Sequence, residues 1–143
     1  MVRRLVGWRH VLCCAPSYLE RHPAPRSPAD LAVHNCLRYA FYPFGDDWHF
    51  IDPAGKPIVV RVAGNLMTSA ALVLRAAALA GSGVLLAVPF VFDEELAAGS
   101  LVRLLPDYQT AEFSIVAVYP HRRHLATKVR VFIDALITLF AGQ

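Results

Sequence analysis

The chain has 143 residues, a length that suits one domain or part of one. Hydrophobic residues make up 56% and charged residues 17%, which excludes a disordered, solvating chain. The net charge of +3 comes from scattered Lys and Arg, so it reads as a solvated surface and not as a nucleic-acid footprint.

Val2 to Ala15 has strand composition, polar early and apolar late, and ends in Val11-Leu12-Cys13-Cys14. Pro16 to Arg21 reads as a short helical turn with proline at an early position. His22-Pro23-Ala24-Pro25 is a stiff connector. Ser27-Pro28-Ala29-Asp30 then predicts a helix start, with Ser as N-cap, Pro at the first helical position and an acid at the third, ending near His34-Asn35. Cys36 to Ala40 is a strand, and Phe41 to Asp47 a loop. Trp48 to Ile51 and Ile58 to Val62 form a hairpin around the turn Asp52-Pro53-Ala54-Gly55-Lys56. Gly64 to Met67 is an extended link.

The stretch from Leu72 to Pro89 organises the rest. Ser69, with Thr68 as the neighbouring candidate, sits where an N-cap belongs. Ala70 to Ala80 is built of strong helix formers, with Arg75 its one charge. Gly81 suits the left-handed residue that closes a helix. Val84-Leu85-Leu86-Ala87-Val88 is a continuous apolar run of strand length, expected to be buried on both faces of a parallel sheet. A helix, Gly-x-Gly and a buried strand together predict an α/β fold. Ala76 to Phe92 carries no charge, but Gly81-Ser82-Gly83 inside it favours a buried helix–strand pair over a membrane span. Pro89 to Ala98 reads as helical or irregular, with Asp93-Glu94-Glu95 facing solvent and Gly99 as terminator. Leu101 to Leu105 is a strand, Pro106 to Ala111 a polar loop and Phe113 to Tyr119 a strand. The last element is an amphipathic helix with an apolar stripe of Leu125, Val129, Phe132, Ile133, Leu136 and Phe140, and Gly142 placed to close it.

Catalytic chemistry is not expected. His10, His22, His34, His49, His121 and His124 are dispersed, and no nucleophile stands with a base. His121-Arg122-Arg123-His124 reads as surface. Gly81-Ser82-Gly83 follows a helix rather than a strand and lacks the rest of a dinucleotide fingerprint. The three cysteines, Cys13, Cys14 and Cys36, are odd in number and two are adjacent. With no secretory signal pattern, they predict reduced core thiols in a cytoplasmic protein, with no metal and no cofactor.

These segments also resemble a known family. LRAAALAGSGVLLAVP, residues 74–89, is similar to the LRAAALAGLGIALLP segment of LysR-type transcriptional regulators, within their effector-binding domain. VLCCAPSYLERHPAPRSPADLAVHNCLRY, DEELAAGSLVRLLPDYQ and IVAVYPHRRHLATKVRVFIDAL resemble further segments of that domain, in the same order and at similar spacing. The resemblance implies a periplasmic-binding-protein-like fold of two α/β lobes with a small-molecule effector in the cleft between them. By residue matching, 1–15 is a crossing strand, 16–111 the second lobe, and 112–143 the return strand with a helix of the first lobe. The residues matched leave out the family's helix-turn-helix domain and the opening half of its first lobe. The chain is therefore expected to be a partial effector domain that does not bind DNA directly.

The resemblance places the effector at the N-terminus of the helix near Thr68 and Ser69, where free N–H groups and the helix dipole suit an anion. Arg38 is expected to pair a carboxylate, Tyr39 to line the pocket, and Pro16 and Val88 to mark the cleft edge. Other readings stand beside these: helix capping for Thr68 and Ser69, a surface cation for Arg38, and core or hairpin packing for Tyr39, Phe41 and Trp48. The implied function is sensing of a small anionic metabolite in transcription regulation, with no enzymatic activity and no membrane partner. The domain is expected to form a homo-oligomer or to pair with intact regulators. The alternative is an interaction fragment that pairs with intact regulators and senses nothing.

Overall fold

The first expected strand divides at His10. The computed structural model, which describes residues 1–120 and 126–141, has strand β1 at Val2–Arg9 and β2 at Val11–Cys14. The division matters because the chain forms two compact units that part at this point: residues 1–8 with those described from 112 onward, and residues 9–111.

In the first unit β1 pairs with the strand Glu112–Val118. The terminal amine of Met1 donates to the Tyr119 carbonyl at 2.7 Å, and the Tyr119 N–H returns a bond to Met1. Arg4 pairs with Glu112 at 2.6 Å, and the Trp8 and Phe113 rings lie 5.4 Å apart. The last helix spans Thr127–Ala141, and its Asp134 accepts from Arg3 at 3.5 Å. Ile133 is buried, with Val129, Leu136, Ile137 and Phe140 half-buried around it. Phe132 departs from the expected stripe and is 63% exposed. At 3.6 residues per turn it projects to one side of the line through 129, 133, 136 and 140, and Ile137 takes the covered position instead. Leu125, Gly142 and the basic run 121–124 lie outside the described residues.

The second unit is built on a five-stranded sheet. Its remaining strands are β3 (Cys36–Tyr39), β6 (Met67–Thr68), β7 (Val84–Ala87) and β8 (Val102–Arg103), in the order β6-β3-β7-β2-β8. Strands β6, β3 and β7 run parallel, whereas β2 is antiparallel to both β7 and β8. The sheet is thus mixed rather than wholly parallel. Strand β7 still sits inside it, with Val84, Leu85 and Ala87 fully buried, as a continuous apolar run requires. A second sheet joins the hairpin β4 (Asp47–Ile51) and β5 (Pro57–Arg61) to a short strand β9 (Gln109–Thr110). The expected loop at 106–111 therefore contains a strand, recruited by Phe50 and Ile51 of β4. The expected strand at 101–105 shortens to β8, because Leu105 takes a left-handed φ of 48°.

Helix α1 spans Pro16–Leu19, and Pro28–Val33 is a 3₁₀ helix whose Asp30 carboxylate accepts from the Arg26 and Ser27 N–H groups. Helix α2 covers Ala71–Leu79 and helix α3 Asp93–Ala98. Ser69 is not the N-cap of α2. Thr68 is held in β6 opposite Tyr39, so the chain turns into the helix later and Ala70 caps it without a side-chain bond. At the other end Gly81, with φ 77°, closes a Schellman motif: its N–H bonds to Ala78 and that of Ser82 to Ala77, at 3.0 and 3.1 Å. Glu95 also departs from expectation. It is 6% exposed and pairs with Arg75 of α2, while Asp93 and Glu94 remain in solvent. A carboxylate on the inner side of α3 is retained because a guanidinium from the neighbouring helix meets it.

Leu37, Leu85, Ala87 and Cys13 of the sheet pack with Ala15, with Leu74 and Ala78 of α2 and with Phe92 and Leu101. Side chains alternate along each strand, so Cys14, Val84 and Cys36 line the opposite face. Cys14 and Cys36 are two strand spacings apart, roughly 9–10 Å. That is too far for a disulfide, which needs Cα atoms within about 7 Å. Among the described residues no helix is long and apolar enough to cross a membrane.

Two outcomes follow from this packing. Burial pushes the thiols of Cys13, Cys14 and Cys36 up to about 12, 11 and 12 respectively. A disulfide reagent at pH 8 is expected to leave all three unmodified in the native chain and to titrate them fully in denaturant. A Cβ at Gly83 would run into the Asn35 carbonyl, so Gly83→Ala is expected to lower stability by about 1–3 kcal/mol in urea unfolding, while Ser82→Ala, on an exposed position, stays within about 0.5.

Candidate functional site

In an open α/β sheet the carboxyl ends of parallel strands are where loops diverge and leave a crevice. Here those ends belong to β3, β6 and β7. The register sets Arg38 beside Met67 and Tyr39 beside Thr68, and α2 begins just beyond. Thr68, Ser69 and Tyr39 are thus brought together. Thr68 Oγ1 accepts the Ala70 N–H at 3.0 Å, while the Ser69 side chain is exposed and makes no hydrogen bond among the described residues. Tyr39 is exposed, with its ring edge-on to Phe41 at 5.9 Å, and Phe41 itself stands in solvent. Trp48 is elsewhere, buried in the hairpin core.

Arg38 faces the other side of the strand. Its Nη1 bonds both carboxylate oxygens of Asp46, at 3.2 and 3.1 Å, and its Nη2 donates to the Gly64 carbonyl at 3.0 Å. The carboxylate it holds is therefore part of the chain. Arg38 ties the loop after β3 to the link that delivers β6, and so positions Thr68.

Val88 follows the carboxyl end of β7, half-buried, and its carbonyl accepts from Val91 and Phe92 at 3.0 and 3.2 Å. Pro16 is not brought to this end. Strand β2 is antiparallel to β7, so the residue after it emerges at the amino end, where Ser17 lies against Gly81 at the far end of α2. The sequence pattern of a buried strand carries no sign of its direction, which is why Pro16 could not be placed from it.

The same reversal carries His10 to the carboxyl end, since Val11 pairs with Ala87. His10, Arg9 and Thr110 form a cluster that the sequence did not announce. The Thr110 hydroxyl donates to the His10 carbonyl at 2.8 Å, Arg9 Nη1 donates to the Thr110 carbonyl, and the His10 ring is edge-on to Tyr42 at 5.7 Å. The only signal was a lone threonine in an apparent loop, whose partners lie 100 and 101 residues away and which the pairing of β9 with β4 holds in place. Among the described residues no group of three His, Cys, Asp or Glu is arranged to hold a metal ion.

Burial lowers the His10 pKa from 6.5 to about 4. The folded chain thus prefers neutral His10, and the unfolded chain takes up its proton first as pH falls. This contribution to stability is complete above pH 6.5 and is lost progressively between pH 6.5 and about 4. Urea unfolding of the native chain is expected to weaken from pH 7 to pH 5, and His10→Gln to weaken less over the same interval.

Comparison with known proteins identifies the family and the fold. Residues 2–141 match the LysR substrate binding domain. The HTH-type transcriptional regulator CrgA of Neisseria meningitidis is 30% identical over 137 residues, covering 94% of this chain and 45% of the relative. The HTH-type transcriptional activator AaeR of Escherichia coli is 32% identical over 138 residues, covering 96% of this chain and 44% of the relative. Among solved structures, full-length AphB, a virulence activator of Vibrio cholerae, superposes with a TM-score of 0.85 at 31% identity, over 98% of this chain and 48% of AphB. The regulatory domain of AphB from Vibrio vulnificus gives 0.78 at 33% identity, over 97% of this chain and 68% of that domain. The chain spans less than half the length of these full-length regulators. Its α/β fold is that of LysR regulatory domains, which is periplasmic-binding-protein-like, and the chain belongs to the LysR substrate-binding domain family.

Proposed function

We propose that this chain is the small-molecule-sensing part of a LysR-type transcriptional regulator, a non-enzymatic domain of the cytoplasm that works without a cofactor. Residues 16–111 act as one lobe, residues 1–15 and 112–119 as crossing segments, and the last helix as part of the other lobe. The effector is a small anionic metabolite. The observation that carries this reading is the meeting of Thr68, Ser69 and Tyr39 at the carboxyl ends of β6 and β3, where α2 begins. First-turn N–H groups of a helix lack intrahelical acceptors, and the dipole adds positive potential there. Ser69 supplies a hydroxyl that makes no bond within the described residues, and Tyr39 a ring edge for the apolar part of the ligand. Val88 borders the same end. Arg38 serves as a positioning residue, since its guanidinium is engaged by Asp46 and Gly64. Pro16 has no contact role in this reading.

A second reading has its own support. The outer side of α2 exposes Leu72, Val73 and Leu79, and Met67 is exposed on β6, the edge strand of the sheet. An apolar helix face beside an open edge suits pairing with a second copy of this domain or with an intact regulator. Pairing and sensing are compatible in one protein, and pairing alone is the alternative.

Thermal melts against a panel of small carboxylates and aromatic acids separate the two. A ligand at 100 times its dissociation constant adds about 2.7 kcal/mol to the folded state. One panel member is expected to raise the midpoint saturably, and a Thr68→Val/Ser69→Ala double variant to lose that increment from a slightly lower starting point. A chain that pairs through α2 in light scattering, loses pairing in Leu72→Glu, and shifts with no panel member would leave the pairing reading alone.

A further inference from the structure

At the amino end of the same sheet, opposite the end just described, lies a surface cavity of about 350 Å³. Its walls are the connector His22–Arg26 and the 3₁₀ helix, through Asp30, Val33 and His34. Tyr18, from α1, is buried beneath it and holds both imidazoles. The Tyr18 ring stacks on His22 at 4.5 Å and 23°, and its hydroxyl bonds His34 Nδ1 at 2.5 Å. The two histidines are thus fixed from the inside. Neither His22 nitrogen, nor His34 Nε2, nor the Arg26 guanidinium has a hydrogen-bond or ion-pair partner among the described residues. Pro23 and Pro25 stiffen the wall that carries His22 and Arg26.

The hydrogen-bonding groups left over at the cavity are mostly donors. The one acid lining the cavity, Asp30, spends its Oδ2 on the backbone N–H groups of Arg26 and Ser27, at 2.8 and 3.2 Å. Those bonds close the turn, and the three side-chain donors that line the cavity are left without a partner among the described residues. An oxyanion there would gain hydrogen bonds from planar donors, charge-assisted at Arg26 and at any protonated imidazole. We propose that His22, Arg26 and His34 form a second, pH-dependent site for a small oxyanion of the phosphate class, separate from the Thr68–Ser69 end.

Burial and the neighbouring His22 hold His34 below its ordinary range, and Asp30 opposes them. The groups that face His34 are Tyr18, His22 and Asp30, with Arg26 across the cavity. An anion relieves the repulsion between the two imidazoles, so binding takes up protons and strengthens as pH falls toward 6.

The probe is inorganic phosphate, titrated into the whole chain by calorimetry at pH 6 and pH 8, with sulfate as a second anion that stays fully ionised over that interval. The native chain is expected to bind both at pH 6 and at least tenfold more weakly at pH 8. His22→Gln/Arg26→Gln, on exposed positions that leave the Tyr18–His34 bond intact, is expected to abolish this binding while keeping the native melt. Thr68→Val/Ser69→Ala is expected to keep it, which separates this site from the sensing site. Absence of saturable binding at pH 6, equal binding by the His22/Arg26 variant, or loss in the Thr68/Ser69 variant would each overturn the proposal.

Discussion

The second unit depends on a close backbone approach at Asn35. Its carbonyl accepts the Val84 N–H at 2.9 Å, its side-chain amide donates to Ser82 and Asn65 at 2.7 and 3.0 Å, and its Oδ1 accepts the Asn65 N–H at 2.9 Å. One side chain therefore joins the starts of β3 and β7 and the link that leads to β6. Such proximity leaves no room for a Cβ on the facing segments. Gly83 lies against the Asn35 carbonyl and Gly64 against that of Cys36. The Gly-x-Gly after α2 is thus divided in function: Gly81 supplies a left-handed turn, and Gly83 supplies space.

This knot sets the phase of three parallel strands at their amino ends, and the effect is read at their carboxyl ends. Cys36 stands opposite Val84 in one direction, and on the other side the Asn35–Asn65 bonds with the Cys36 N–H to Ala63 and Arg38 N–H to Leu66 bonds set the pairs Arg38–Met67 and Tyr39–Thr68. Arg38 reinforces the same phase from within, through Asp46 and the Gly64 carbonyl. A slip of one residue in β3 would turn Tyr39 to the face that Arg38 occupies and remove the ring from beside Thr68. The arrangement at the head of α2 is therefore a consequence of glycines and an asparagine several residues away.

How far the chain could be read in advance divides along a physical line. Local signals held where the chemistry is local: the hairpin 47–61, the Ser27–Asp30 turn, the Gly81 termination of α2 and the buried run of β7 each follow from a few adjacent residues. What failed depended on partners distant in sequence. Ser69 has the right chemistry for a cap, but β3 pairs with Thr68 and delays the helix. Glu95 sits in an acidic run that reads as solvated, but Arg75 lies across the packed helices. The Asp46 and Gly64 partners of Arg38 were likewise not legible, because they come from the following loop and the link before β6. Strand direction is the extreme case, because no local pattern encodes it, and with β2 reversed Pro16 and His10 exchange ends.

That reversal also gives the unit two chemically different ends. At the carboxyl end of the parallel strands stand the head of α2, Tyr39 and Thr68, and His10 is kept neutral there by burial. At the amino end, α1 and the stiff proline connector continue from β2 and bring His22, Arg26 and His34 around one cavity. The site proposed at the first end uses backbone donors whose charge does not change with pH. The site proposed at the second end uses the His22 and His34 side chains with Arg26. Under the two proposals, an anion at the first end binds with little pH dependence of its own, whereas one at the second is coupled to proton uptake. The Asn35 bonds to Asn65 and Ser82 lie at the amino end, one residue from His34.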